Sequence, residues 1–356
     1  MSMLDKLKKN STIKDSAILS ESKFFQKKDM IQTQVPALNI ALSGRIDGGL
    51  TPGLTMWAGP SKHFKTAFSL MMAKAYLDKY PDAILLFYDS EFGTPQSYFE
   101  SFGIDMTRVL HTPLTNVEQL KFDIMTQLEQ IARGDHVIIL IDSIGNLASK
   151  KEVDDAMDGK SVADMSRAKQ IKSLFRMVTP HLTLKDIPMV VVNHTYKTLE
   201  LYSKDVVGGG TGSYYSADNI FILGRQQEKD GKDVIGYNFI INVEKSRYVK
   251  EKSKIPIEVT YENGISKWSG LLDIALLTGH VIKPNQGWYS KVDMETGEIE
   301  EKKYRLADTS NRAFWGPIID SLTFQEAVKK MYQVASGSIY KDEDDVAAVY
   351  DTIEGE

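Results

Sequence analysis

A loop that opens on glycine and closes on a lysine and a hydroxyl can hold phosphate, and residues 59–66, GPSKHFKT, have that form. Gly59 lets the backbone wrap an anion, Lys65 reaches the outer phosphates of a nucleotide, and Thr66 offers a hydroxyl to magnesium. Pro60, Ser61, Lys62 and His63 fill the loop, and Phe64 stands where a second glycine usually precedes the lysine. Taken alone, the loop fits either a nucleotide site or an ordinary strand-to-helix turn.

The carboxylates around it favour the first. Asp142 ends the apolar run VIILIDS and suits a magnesium aspartate, with Thr66 as the other protein contact. Glu91 ends AILLFYDSE and is the candidate general base, since hydrolysis of a γ-phosphate needs a carboxylate to orient and partly deprotonate a water. The alternative for Glu91 is a helix cap. Asn193 and His194 end MVVVNH, and Tyr98 follows Glu91 closely enough to stack on a base or to serve the core. Together these residues describe an ATP and Mg2+ site.

Something must carry these side chains to one place. The runs LTMWA, AILLFYDSE, VIILIDS and MVVVNH are continuous apolar stretches separated by helix-length segments, the pattern of a parallel sheet covered on both faces. In such sheets ligands bind beyond the carboxyl ends of the strands, where the polar residues sit. The expected fold is therefore α/β, with a mostly parallel sheet following a phosphate loop. Residues 237–247 and 255–261 alternate apolar with polar and predict antiparallel strands. If the first continues the alternation of Tyr237, Phe239, Ile241 and Val243, then Lys245 and Arg247 leave it on one face, as solvated surface groups or as cations for a phosphate on a neighbouring subunit.

Four regions are expected. Residues 1–30 are a lysine-rich helical arm that docks on its own core or on a neighbouring copy; 31–270 form the α/β core; 271–340 form a small lobe whose first helix stops at Gly279; and 341–356 are an acidic, mobile tail. The chain of 356 residues carries a net charge of −5, so nucleic-acid binding has to come from local patches rather than a bulk positive field. It contains no cysteine, which excludes disulfides and thiolate metal sites. The start MSMLDKLKKN has no apolar signal core and no run spans a bilayer, so the reading is cytoplasmic, without a membrane.

Two excursions interrupt the core. Residues 143–164 are charged and follow Asp142; residues 195–218 follow His194 and contain GGGTG. Long loops in a compact domain are usually functional. Gly208, Gly209, Gly210 and Gly212 would let backbone N–H groups approach phosphates, Lys197 and Lys204 add charge, and Tyr196 and Tyr202 could meet bases; a lid without a partner is the alternative.

In this order GPSKHFKT, LLFYDSE, VIILIDS, VVNH, GGGTG and VEKSR resemble the RecA recombinase core, and nearly the whole chain, from KFF in the arm to FWGP in the lobe, is similar to the UvsX-type recombinases of tailed phages. The resemblance implies an ATP-hydrolysing enzyme of the RecA-like P-loop fold. It forms a homo-oligomeric helical filament on single-stranded DNA and pairs that strand with a homologous duplex, in recombination, recombination-dependent replication and repair. It also implies phage single-strand-binding and mediator proteins as partners, and the cytoplasm of an infected bacterium as location. By position Lys65 and Thr66 match the Walker A pair, Glu91 the catalytic glutamate, Tyr98 the adenine-stacking tyrosine and Asp142 the Walker B aspartate. His194 falls where cellular relatives carry a glutamine that senses the γ-phosphate. Lys245 and Arg247 match the cations that reach ATP across the protomer interface, and the arm a contact between protomers. The excursions match two DNA-binding loops, so Lys150, Lys151 and Arg167 beside the first join the residues of the second. A ring helicase lacks its separate N-terminal domain here, and an inert nucleotide-binding mediator would be expected to have lost Lys65, Glu91 or Asp142.

Overall fold

The computed structural model describes residues 2–13, 15–22, 24, 29–159, 166–197, 205–208 and 211–334. The expected α/β fold is observed. In chain order the helices and strands are α1 (Met3–Asn10), α2 (Pro36–Ser43), β1 (Gly53–Ala58), α3 (Lys65–Lys79), β2 (Ile84–Asp89), α4 (Gln96–Ser101), β3 (Val109–Pro113), α5 (Val117–Gln130) and β4 (Val137–Asp142). There follow α6 (Lys150–Met157), α7 (Ser166–Lys185), β5 (Pro188–Asn193), β6 (Thr195–Lys197), β7 (Asp205–Val207), α8 (Thr211–Ser216), β8 (Asn219–Asp230), β9 (Asp233–Ser246), β10 (Lys254–Thr260) and β11 (Gly264–Ile265). The lobe adds α9 (Leu271–Leu277), β12 (Val281–Asn285), β13 (Trp288–Lys291), α10 (Arg312–Asp320) and α11 (Leu322–Tyr332).

Among the described residues, a sheet of nine strands runs β11-β10-β9-β8-β1-β5-β4-β2-β3. Its half from β8 to β3 is parallel, while β8 to β11 pair antiparallel, as the alternation in the sequence predicts. The parallel strands are apolar on both faces because both are covered. Leu85, Phe87, Ile138, Leu140, Val190 and Val192 pack with Phe68 and Met72 of α3, whereas Leu86, Tyr88, Ile139, Ile141, Met189 and Val191 pack with Leu120 and Ile124 of α5 and Phe175 of α7. The lobe is no separate core: Leu271, Phe314, Trp315, Phe324 and Val328 belong to the same apolar cluster as α3.

The arm is only partly described. α1 is closed by a capping box between Ser2 and Asp5 and keeps Met3, Leu4 and Leu7 exposed, while further on the Phe24 ring lies under the Arg133 guanidinium of its own core at 5.0 Å. Among the described residues no helix is long and apolar enough to cross a membrane.

Sequence and structure differ at the end of β9. Val243 pairs with Phe221, but Lys245 pairs with Ile220, so Glu244 is the extra residue of a β-bulge. Phe221 packs in the cluster with α3 and Ile220 in the cluster with α5, so the bulge turns Lys245 to the face opposite Val243. The expected alternation from Tyr237 to Arg247 therefore stops at Val243.

Candidate functional site

β1 ends at Ala58 and the chain turns through residues 59–64 into α3. Two side-chain-bearing residues of this turn have left-handed backbone, Lys62 at φ 61° and Phe64 at φ 65°. A non-glycine residue there costs about 1–2 kcal/mol. At Phe64 the ring offsets it, stacking on Phe239 with centroids 4.8 Å apart and meeting Phe68 edge-on at 5.5 Å. An aromatic residue thus occupies the left-handed position just before Lys65.

The loop delivers Lys65 and Thr66 to the first turn of α3. Lys65 is buried, and its ammonium donates to the carbonyls of Pro60 at 2.8 Å and Gly59 at 3.1 Å; burial holds its pKa below the ordinary value against the pull of Glu91 and Asp142. The Thr66 hydroxyl donates to Asp142 Oδ2 at 2.6 Å. Asp142 Oδ1 is buried with no hydrogen-bond partner among the described residues, and burial pushes this carboxyl up to about 6. A buried anion with one free oxygen beside a hydroxyl fits a divalent cation.

Glu91 lies just past β2. Its Oε1 accepts the Ser143 hydroxyl at 2.6 Å and sits 2.8 Å from His194 Nε2. The bond from His194 is the main cause that keeps the Glu91 carboxyl below its usual range; burial opposes it and the bond from Ser143 assists. Tyr98 of α4 completes one wall, its phenol pKa raised by burial. Lys65, Thr66, Glu91, Tyr98, Asp142 and His194 line one cavity of 590 Å³, together with Ser61, Lys62, His63 and Phe64 of the loop.

Other residues in or beside this cavity carried no role in the sequence reading. Ser143 directly follows Asp142, and only the register between β2 and β4 shows that it meets Glu91. Arg225 reaches the loop from β8, donating to the Lys62 carbonyl at 3.2 Å with its guanidinium over the Tyr237 ring at 4.6 Å. Tyr237 and Tyr261 also line the cavity.

Both excursions spring from this cavity. The second begins as a hairpin of β6 and β7, and its stem is fixed: Gly208 N–H donates to the His194 carbonyl at 2.9 Å, and Asn193 Nδ2 donates to the Gly208 carbonyl at 2.8 Å. A Cβ at Gly208 would lie 3.1 Å from the His194 carbonyl, and one at Gly212 would lie 2.6 Å from Lys172 Cβ. A side chain at either position would crowd these atoms, so packing also favours glycine there. Lys197 is exposed on β6, whereas Tyr202, Lys204, Gly209 and Gly210 lie outside the described residues.

At the first excursion, Lys150 and Lys151 open α6, where Lys151 pairs with Asp155. Arg167 is turned inward. Its guanidinium donates to the carbonyls of Leu147 at 2.6 Å, Gly145 at 2.8 Å and Ile144 at 3.1 Å, so it holds the stem of the excursion instead of standing free. That stem touches the site, because a Cβ on Gly145 would come within 2.5 Å of the His194 ring.

Lys245 and Arg247 are not among the residues lining their own cavity. Lys245 donates to the carbonyls of Tyr214 at 2.7 Å and Ala217 at 2.8 Å, a cation on the closing carbonyls of α8. Arg247 Nε lies 2.6 Å from Asp218 Oδ1 and the side chain is largely exposed.

A loop and carboxylates in this arrangement occur in many nucleotide-binding folds, so comparison with known proteins decides the family. The family described as the RecA N-terminal domain matches residues 3–266. The chain belongs to the RecA family. Within it, residues 268–328 match the C-terminal domain of the phage T4 recombination and repair protein, the stretch that forms the lobe here. The chain is 53% identical over 335 residues to the "Recombination and repair protein" of Enterobacteria phage T4, covering 93% of this chain and 86% of that one. It is 26% identical over 275 residues to "Protein RecA" of Bacteroides thetaiotaomicron, covering 76% of this chain and 80% of that one. To "Protein RecA" of Clostridioides difficile it is 26% identical over 280 residues, covering 77% and 76%.

Proposed function

We propose that this RecA-family chain is a DNA-dependent ATPase that assembles as a helical filament on single-stranded DNA and pairs it with a homologous duplex, in phage recombination, replication and repair. The observation that carries this reading is His194. One residue touches the candidate base Glu91, packs on Gly145 of the first excursion and accepts a hydrogen bond from Gly208 of the second, so a ligand on either excursion bears on the hydrolytic site.

In this reading Lys65 exchanges the carbonyls of Gly59 and Pro60 for β- and γ-phosphate oxygens, and Glu91 orients a water in line with the γ-phosphate. Magnesium, when bound, neutralises charge on the phosphates, and Thr66 with Asp142 are the residues that would hold it, the latter through its unpartnered Oδ1. Tyr98 stacks on adenine. Lys245 and Arg247, which do not line their own cavity, act on the ATP of a neighbouring protomer. Lys150, Lys151, Arg167, Lys197, Tyr202, Lys204 and the glycines from 208 to 212 make up the DNA-binding surface, with Arg167 contributing by holding the first excursion in shape.

Imaging the protein with single-stranded DNA and a slowly hydrolysed ATP analogue tests the assembly. Open helical filaments with DNA along them are expected. Closed rings, or monomers that leave the DNA bare, contradict the proposal.

A further inference from the structure

The backbone just past β2 does not follow from the strand itself. Phe92 has φ 54°, left-handed backbone that side chains rarely adopt, and the turn that contains it is what points Glu91 back toward Ser143 and His194. The carboxylate of Asp89 holds that turn. Asp89 is 4% exposed, and its Oδ1 accepts the N–H of Glu91 at 3.0 Å and the N–H of Phe92 at 2.8 Å. Its Oδ2 lies 3.2 Å from Nε2 of His111, which stacks on Phe87 at 5.4 Å and is half exposed on the edge strand β3.

The neighbouring residue staples the turn on its other side. Ser90 N–H donates to the Asp142 carbonyl at 2.9 Å, and its hydroxyl donates to the Ser143 carbonyl at 2.7 Å. Asp89 and Asp142 are partners in register, so the turn after β2 and the carboxylate of β4 are held as one piece. A second buried carboxylate beside Asp142 is unfavourable electrostatically. Packing alone gives no reason for a charge at this place, whereas two backbone N–H groups and an imidazole do.

We propose that Asp89, braced by His111, is a positioning residue for hydrolysis: it shapes the turn that aims Glu91 and does not itself touch the nucleotide. The inference rests on the assignment of Glu91 as the base. It also makes the sheet edge at β3 part of the catalytic geometry, since His111 stands there.

Steady-state ATP hydrolysis with single-stranded DNA, measured for Asp89→Ala, Asp89→Asn, Glu91→Gln and the double variant Asp89→Ala with Glu91→Gln, tests this. Asp89→Ala should lower kcat by on the order of tenfold to a hundredfold, the scale for misplacing a reacting group by about an ångström, at unchanged KM. Asp89→Asn should regain most of the loss, because its amide oxygen can accept the same two N–H bonds. The double variant should be no slower than Glu91→Gln, because Asp89 acts through Glu91. Parent kcat in Asp89→Ala beside a slow Glu91→Gln overturns the inference alone; a Glu91→Gln variant at the parent rate overturns the base assignment instead. A double variant slower than Glu91→Gln by the full Asp89→Ala factor, or an Asn variant as slow as Ala with a raised KM, also overturns it. Should Asp89→Ala fail to fold, His111→Ala carries the test. A kcat loss of about twofold to fivefold at unchanged KM supports the brace, and parent kcat rejects it.

Discussion

The Thr66 hydroxyl and the Asp142 carboxylate share one hydrogen bond of 2.6 Å, and it leaves the other Asp142 oxygen buried and unpartnered. Folding therefore raises this carboxyl from 3.8 to about 6 through burial. A raised carboxyl binds more protons in the folded chain than in the unfolded one between those two values, so its charge costs stability as pH rises through about 4 to 6.

Asp142→Asn removes that cost while keeping an oxygen for Thr66. In metal-free buffer the variant should be more stable than the parent near pH 7.5, by on the order of 1–3 kcal/mol at about 1.4 per pKa unit. The gain should vanish near pH 4. Thermal unfolding at both pH values measures it, and an equal gain at both would show that the charge is not the cause.

His194 is the main reason the Glu91 carboxyl stays below its usual range, so His194→Ala should let it rise. If Glu91 is the general base, it works deprotonated, and the acid limb of the pH–rate profile for kcat/KM should move to higher pH. His194→Gln, whose amide can donate to the same oxygen, should hold the limb near the parent position. A limb that does not move in His194→Ala would mean that the bond is not formed by the working enzyme.

At Phe64 two effects oppose each other. Phe64→Gly relieves a left-handed strain of about 1–2 kcal/mol. It also removes a half-buried aromatic body and two ring contacts, together worth about 2–4 kcal/mol. The loss outweighs the relief, so the variant should melt at lower temperature and still bind nucleotide, since a glycine suits the loop. A rise in Tm would show that strain dominates.

The strands that frame the site were legible because a sheet covered on both faces needs continuous apolar runs, and Lys65, Thr66, Glu91 and Asp142 sit where those runs stop. Register was not legible. The partners of Glu91 and the turn held by Asp89 depend on which residues of β2 and β4 lie side by side, and no local pattern carries that. The Glu244 bulge reverses the face of Lys245 by one residue, which alternation alone cannot register. Gly208 and Gly212 read only as backbone open to phosphate; that packing also favours glycine there shows only once the atoms beside them, the His194 carbonyl and Lys172, are known.

Lys245 and Arg247 lie outside the cavity of their own chain, held by the Tyr214 carbonyl and Asp218. If they serve a neighbour, Lys245→Ala with Arg247→Ala should abolish DNA-stimulated hydrolysis, as losing cations on a transferring phosphoryl group costs about three to five powers of ten. Mixing that protein with inactive Lys65→Ala protein should restore some phosphate release at composite interfaces. No recovery at any ratio, with both proteins still in filaments, would return the two cations to a local structural role.

The central claim is that nucleotide chemistry at Lys65 and Glu91 serves the pairing of DNA strands through the two excursions. Incubating the protein with ATP, a circular single strand and a labelled linear duplex, then resolving the DNA on a gel, measures it most directly. The account predicts joint molecules with a homologous duplex, none with an unrelated duplex, and none when Lys65→Ala replaces the parent protein. Filaments that hydrolyse ATP yet give no joint molecules, or the same yield with unrelated duplex, would contradict it.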